Sequence, residues 1–325
     1  MRALMCKEHG PAEKLVIEEV ADPSAGPGEV VIDIKAAGLN FPDVLTIQGL
    51  YQAKNTFPFT PGVEASGVIS SVGEGVSSVA LGDRVIASMM GGAFAEKAVA
   101  SAHTVVAMPD SMGFPTGAGL TTTYSTSYHA LKQRANLQSG ETLLVLGAAG
   151  GVGLSAVELG RLMGAHVIAA ASTDEKLETT RAFGADACIN YTKEDLKTRV
   201  KELTGKKGAD VVYDPVGGDY CEQALRATNW DGRYLVIGFA SGNIPRIPLN
   251  LPLLKGSHIV GVFWGAWAAR NPQGHRKNFG ELLDLFVEGR IKPLVSETYA
   301  LDNYLDAFNC LTERRAKGKV IFTFE

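Results

Sequence analysis

Between residues 143 and 263, short apolar runs alternate with stretches whose hydrophobic positions recur every three to four residues. Leu143-Leu144-Val145-Leu146 is unbroken by any polar side chain and stops at Gly147, after which a helical pattern runs through Ala156, Val157 and Leu162. Runs at 167–171, 187–189, 210–213, 234–237 and 259–263 read as strands, and 174–183, 193–203 and 220–227 as amphipathic helices. That rhythm predicts an α/β fold with a doubly wound parallel sheet of Rossmann type.

The texture before residue 116 is different. Strand-like runs at 15–20, 29–36, 67–72, 83–87 and 94–98 are separated by Gly, Pro, Asp and Ser, and 21–28 holds two prolines and two glycines. This predicts a mostly-β module rich in turns. From 116 to 135 the pattern turns helical, with Leu120, Tyr124, Tyr128 and Leu131 on one face, a segment suited to carry the chain into the next domain. Helices are expected at 279–287 and 304–311 and a closing strand at 319–324. The expected organisation is a β domain over 1–123, a nucleotide-binding domain over 124–264, and a tail over 265–325 that packs back and completes the first.

Chemistry enters at the glycines. Ala148, Gly150 and Gly153 form an Ala-x-Gly-x-x-Gly variant of the dinucleotide fingerprint, placed after a strand and at the start of a helix. With almost no side chains at the bend, the backbone around Ala149, Gly150, Gly151 and Val152 is open to a diphosphate, and the helix start offers partial positive charge. No Gly-Lys-Ser/Thr follows, which excludes a nucleoside-triphosphatase loop, and Gly153-Leu154-Ser155-Ala156-Val157 lacks the last glycine of a nucleophile elbow.

Bulk properties narrow the partners. A net charge of −4, with scattered basic residues, argues against a nucleic-acid surface or a polybasic membrane patch. The start, Met1-Arg2-Ala3-Leu4-Met5-Cys6-Lys7-Glu8-His9, is too charged for a signal peptide, and no apolar run is long enough to span a bilayer. Cys6, Cys188, Cys221 and Cys310 have no metal or redox spacing, as expected of a cytoplasmic protein. The six histidines show no metal-ligand spacing either.

In order along the chain, Ala36-Ala37-Gly38-Leu39-Asn40-Phe41-Pro42-Asp43, Gly49-Leu50-Tyr51, Pro61-Gly62-Val63-Glu64-Ala65-Ser66-Gly67-Val68, Gly82-Asp83-Arg84-Val85, Thr126-Ser127-Tyr128-His129-Ala130-Leu131, the glycine fingerprint, Asp214-Pro215-Val216-Gly217-Gly218 and Gly318-Lys319-Val320 resemble the medium-chain dehydrogenase/reductase superfamily. Within it, the resemblance is to the zinc-free quinone oxidoreductases related to zeta-crystallin. It implies a GroES-like catalytic domain joined to a Rossmann domain, with cofactor and substrate between them, and a homodimer. It also implies that Asn40 and Thr126 flank the nicotinamide, that Gly238, Phe239, Ala240 and Phe263 line its far side, and that Tyr51 faces the substrate. The residue-level alternatives are that Asn40 holds a loop, Thr126 packs a helix and Tyr51 is a rim aromatic. The cluster Phe263-Trp264-Gly265-Ala266-Trp267 would roof a flat substrate or form dimer-interface core.

Zinc-dependent members of the superfamily carry Cys and His ligands where this chain has Asn40 and Val63, and a four-cysteine lobe after Arg84-Val85 where 86–100 has no cysteine. Neither Asn nor Val replaces those ligands, so no metal is expected. Without a metal to polarise a simple carbonyl, quinones and enones, which delocalise incoming charge, are the expected acceptors. Asp43 and Glu64 are read as structural partners of arginines or backbone donors.

The ribose end decides the coenzyme. A carboxylate about 20 residues past the fingerprint grips the 2′-hydroxyl of NAD. Here the strand at 167–171 ends in Ser172, followed by Lys176, with Tyr191 after the next strand, a set suited to a 2′-phosphate and therefore to NADPH. Were the strand two residues longer, Asp174 would meet the ribose instead and Lys176 would be a solvated helix residue. The expected function is NADPH-dependent reduction of a quinone or an α,β-unsaturated carbonyl compound. An enoyl-thioester reductase is the nearest rival, and a low-turnover nucleotide-binding sensor or structural protein a rival of another class.

Overall fold

A computed structural model describes residues 1–52 and 54–325. The chain forms two compact units: Met1–Thr122 together with Pro293–Glu325, and Thr123–Lys292. In chain order the first unit contributes β1 (Arg2–Met5), β2 (Val16–Glu19), β3 (Glu29–Leu39), α1 (Phe41–Ile47), β4 (Glu64–Val72), β5 (Arg84–Ser88), β6 (Lys97–Ser101) and β7 (Val105–Ala107). Helix α2 (Phe114–His129) carries the chain past the boundary. The second unit holds β8 (Thr142–Leu146), α3 (Gly151–Leu162), β9 (His166–Ala171), α4 (Asp174–Ala182), β10 (Ala187–Asn190), α5 (Leu196–Leu203), β11 (Ala209–Asp214), α6 (Tyr220–Arg226), β12 (Thr228–Val236), α7 (Asn250–Lys255), β13 (His258–Gly261), α8 (Trp264–Arg270) and α9 (Pro272–Val287). Strand β14 (Val295–Ala300), α10 (Tyr304–Thr312) and β15 (Lys319–Thr323) return to the first unit.

The second unit is a parallel sheet in the order β10-β9-β8-β11-β12-β13. Its first strand sits in the middle, so the order reverses between β8 and β11. Ligands of open α/β sheets bind at such a switch, outside the carboxyl ends of the strands. Buried on both faces, β8 and β9 are apolar almost throughout, which is why the sequence shows runs there rather than alternation. Helices α8 and α9 belong to this unit, beyond the Trp264 boundary expected from sequence. Trp267 of α8 stacks on His129 with ring centroids 4.2 Å apart, and Asn278 of α9 exchanges hydrogen bonds with Gln133.

The first unit is built on a mainly antiparallel sheet, β14-β15-β3-β4-β5-β7, with β6 also paired to β3. Its core gathers Ile32, Ile34, Leu39, Phe94, Phe308 and Phe322, and Phe94 meets Phe322 edge to face at 4.8 Å. Each such side chain contributes about 1.5–3 kcal/mol on burial. Strand β15 pairs antiparallel with β3, with Val320 opposite Leu39, and β3 pairs with β4, with Ala37 opposite Ala65. Those two registers bring the last strand of the chain beside Asn40 and Glu64.

Several elements depart from the sequence reading. The strand expected at 94–98 begins at Lys97, because Phe94 turns inward as core and its backbone ties Pro61 to Leu4. Helix α1 and strands β1 and β7 are too short to show a period. Helix α5 starts at Leu196, where Asp195 caps it by accepting from Thr198 N at 2.8 Å. Among the described residues no helix is long and apolar enough to cross a membrane.

Candidate active site

At the switch point the turn after β8 is shaped by its glycines. Gly147 has a φ of +54°, a conformation glycine adopts without strain. A Cβ on Gly153 would lie 2.3 Å from the Gly147 carbonyl oxygen, so only glycine lets α3 approach the turn this closely. Gly150 is the N-cap of α3 in an extended conformation, and Leu154 N is the first amide to bond back to it, at 2.8 Å. The N–H groups of Gly151, Val152 and Gly153 therefore have no intrahelical acceptor. Bare amides, a bend with no side chain larger than alanine and a helix start form a donor set that fits a dinucleotide diphosphate.

Thr126 is fixed near this turn. Its neighbour Ser127 donates to Val152 O at 2.9 Å and shares buried hydroxyl contacts of 2.8 Å with Ser155 and Tyr213, which pins α2 to the first turn of α3. Thr126 itself is partly exposed. Gly238, Phe239 and Ala240 follow β12 and fold against the turn after β11, where Ala240 N donates to Pro215 O at 3.0 Å. Asp214 holds that turn by accepting from Val216 N and Gly217 N at 2.7 and 2.9 Å and from the Tyr234 hydroxyl. Burial raises the Asp214 carboxyl above its ordinary range. Phe263 is 57% exposed and precedes α8.

Strand β9 ends at Ala171 with Ser172 just beyond it, and Tyr191 follows β10, the neighbouring strand, its ring tilted against Tyr220 with centroids 4.3 Å apart. Lys176 lies in the first turn of α4. Asp174 sits inside α4 rather than on an extended strand, and its carboxylate accepts from Asn190 Nδ2 and Lys193 Nζ, both at 2.6 Å. Those donors hold its pKa below the usual carboxylate range.

In the first unit the geometry gathers a buried polar cluster. Asn40 follows β3 at the N-cap of α1 and is 6% exposed. Its Nδ2 donates to Glu64 Oε1 at 2.8 Å and to Gly38 O at 3.3 Å, and its Oδ1 accepts from Lys319 Nζ at 2.5 Å. Lys319 also pairs with Glu64 Oε1 at 2.5 Å, and Glu64 Oε2 accepts from Thr122 N at 2.7 Å. Gly38 makes room for this, since a Cβ there would lie 2.4 Å from Glu64 Oε1. Asp43 accepts from Asn40 N at 2.8 Å, and burial pushes its carboxyl up to about 7, against the pull of the Asn40 and Gly62 amides and of Lys319. Tyr51 is half-buried, and burial together with the nearby Asp43 charge raises its phenol above 10. That weakens it as an acid at neutral pH.

Glu64 is thus partnered by Lys319, Asn40 and a backbone amide, and by no arginine among the described residues, and Lys319 is the member that local sequence does not reveal. Its one signal was a lone lysine opening a buried apolar strand within Gly318-Lys319-Val320. Among the described residues no group of three or more His, Cys, Asp and Glu is placed to hold a metal ion.

Two family models match the chain, an alcohol dehydrogenase GroES-like domain over residues 26–110 and a zinc-binding dehydrogenase over 151–288. A quinone oxidoreductase-like protein 2 homolog of Nematostella vectensis is 41% identical over 98% of this chain and 88% of its own length. Among solved structures, Escherichia coli quinone oxidoreductase complexed with NADPH superposes with a TM-score of 0.95 at 29% identity, covering 100% of both chains. CurK enoyl reductase gives 0.91 at 27% identity over 100% of this chain and 99% of its own. A parallel sheet with a glycine-lined dinucleotide turn and a GroES-like sheet unit define a medium-chain dehydrogenase/reductase. The chain belongs to the zinc-free quinone oxidoreductase branch of that superfamily and is an oxidoreductase.

Proposed function

We propose that this oxidoreductase uses NADPH to reduce a quinone or an α,β-unsaturated carbonyl compound, without a metal. The observation that carries the coenzyme choice is at the ends of β9 and β10. Ser172 follows β9, Tyr191 follows the neighbouring β10 and Lys176 lies in the first turn of α4, while the carboxylate of Asp174 accepts from Asn190 and Lys193. A hydroxyl, an ammonium and a phenol suit a 2′-phosphate, whereas an open carboxylate would repel it.

When bound, NADPH supplies the hydride. The amides of Gly151, Val152 and Gly153, with Ala149 and Gly150 in the bend, hold the diphosphate. Asn40, Thr126, Gly238, Phe239, Ala240 and Phe263 would hold the nicotinamide. Tyr51 would face the acceptor and steady the oxygen that gains charge, with water as the proton source because burial weakens the Tyr51 phenol as an acid.

Steady-state rates with NADPH and NADH against a panel of quinone, enone and enoyl thioester test this reading. Preference for NADPH with turnover of a quinone or enone supports it. Equal use of both coenzymes overturns the roles of Ser172, Lys176 and Tyr191. Turnover of the thioester alone selects the enoyl-reductase reading, which the likeness to CurK enoyl reductase favours.

We also read the protein as a cytoplasmic homodimer. The four cysteines are free thiols, and Leu249, Leu253 and Leu254 at α7 and Ile259 on the edge strand β13 expose apolar surface. Sedimentation of a monomer at micromolar concentration would overturn the dimer.

A further inference from the structure

We propose that Lys319 is a positioning residue for the reaction: bridged between Asn40 Oδ1 and Glu64 Oε1, its ammonium turns the Asn40 carboxamide so that Asn40 offers the coenzyme ring an acceptor and no donor. This rests on the assignment of Asn40 to the nicotinamide made above.

The bridge is built by sheet register. With Val320 opposite Leu39, Lys319 comes beside Asn40, and with Ala37 opposite Ala65, Glu64 comes beside Gly38. Three residues spread over 279 positions of sequence thus meet at the end of one strand. Glycines clear the space on both sides: a Cβ on Gly38 would strike Glu64 Oε1 at 2.4 Å, and one on Gly119 would press Lys319 Cγ at 3.0 Å. Lys319 and Glu64 keep only 6% and 0% of their side-chain exposure, so no water replaces either partner.

This surrounding leaves one orientation for the amide. An ammonium has only donors and an ionised carboxylate only acceptors. Flipping Asn40 would set its NH2 against Lys319 Nζ and its oxygen against Glu64 Oε1, two repulsive contacts in a buried site. Both Nδ2 hydrogens are then used, on Glu64 Oε1 and Gly38 O. What remains is the second lone pair of Oδ1, an acceptor that matches an amide N–H. The nicotinamide carboxamide carries such an N–H.

The test uses the full chain as wild type, Lys319→Arg and the double variant Lys319→Met/Glu64→Gln, in which no charge is left unpaired between these two positions. Calorimetric titration gives dissociation constants for NADPH and for its 3-acetylpyridine analogue, whose methyl ketone has no N–H, and melting temperature reports folding. Wild type is expected to prefer NADPH by about fivefold, the range of one neutral hydrogen bond. Arginine keeps the cation and should hold the preference within about twofold of wild type. The double variant, melting close to wild type, should lose the preference. Retention of the preference in the double variant, or its complete loss in the arginine variant, overturns the proposal; should the double variant not fold, the arginine variant decides alone. Wild type that binds NADPH without discriminating the analogue overturns it too, whereas wild type that binds no NADPH refutes the coenzyme reading instead.

Discussion

The turn after β8 and the cluster around Asn40 are both built to hold charge, yet they are assembled in opposite ways. The turn lies within a short contiguous stretch, and its working groups are backbone amides exposed because side chains are missing. The cluster draws on β3, β4 and β15, and its working groups are ionised side chains excluded from water. A local site tolerates change in distant sequence and fails when its own backbone is crowded. A register-built site fails when any one strand loses its charge partner. The first offers an anion the dipoles of its free amides, and the second stores opposite charges that must remain paired.

The largest expected effect is on the register-built site. Lys319→Met leaves Glu64 buried without its cation and should lower stability by about 3–5 kcal/mol, measured by urea denaturation. A loss under about 1 kcal/mol would place the pair among exposed ion pairs and erase the contrast. For the local site, Gly153→Val drives a branched side chain into the Gly147 carbonyl. NADPH affinity should fall about 5- to 150-fold, the equivalent of the 1–3 kcal/mol typical of overpacking, by fluorescence titration.

Next in size, Lys176→Glu should raise the Michaelis constant for NADPH about tenfold relative to that for NADH, and parallel changes would count against a 2′-phosphate at α4. The Asp43 carboxyl, raised from 3.8 to about 7, makes the folded state bind more protons than the unfolded chain between those values. Its contribution is therefore fully present below 3.8 and is lost as pH rises through about 7, with a slope of at most about 1.4 kcal/mol per pH unit. Asp43→Asn should flatten that part of a stability profile, and an unchanged slope would show that Asp43 does not titrate there. Smallest of all, Asp174→Ala removes an exposed pair with Lys193, about two-thirds exposed on each side, and should cost under about 1 kcal/mol in thermal melts while leaving coenzyme preference unmoved.

Legibility in the sequence followed the same division. Runs such as Leu143-Leu144-Val145-Leu146 and the glycines after them carry their meaning in neighbours, so the parallel sheet and its turn could be read directly. The end of β9 at Ala171 was readable as well, which fixed Ser172 beyond the strand and Asp174 inside the helix. Phe94 misled, since an apolar residue among strand formers gives no sign that its backbone will bridge two other segments. Asp43 and Glu64 were recognisable as structural carboxylates, but their cation was not, because Lys319 lies far along the chain.

By itself, then, the amino-acid sequence determined the alternating strands and helices of the parallel sheet and the glycine turn after its first strand, because hydrophobic period and glycine stereochemistry act over a few residues. Only the tertiary structure decided that Lys319 meets Asn40 and Glu64, that Asp43 is pushed up to about 7, and that α8 and α9 join the second unit. Those outcomes depend on strand register and on exclusion of water, and both are properties of the packed chain.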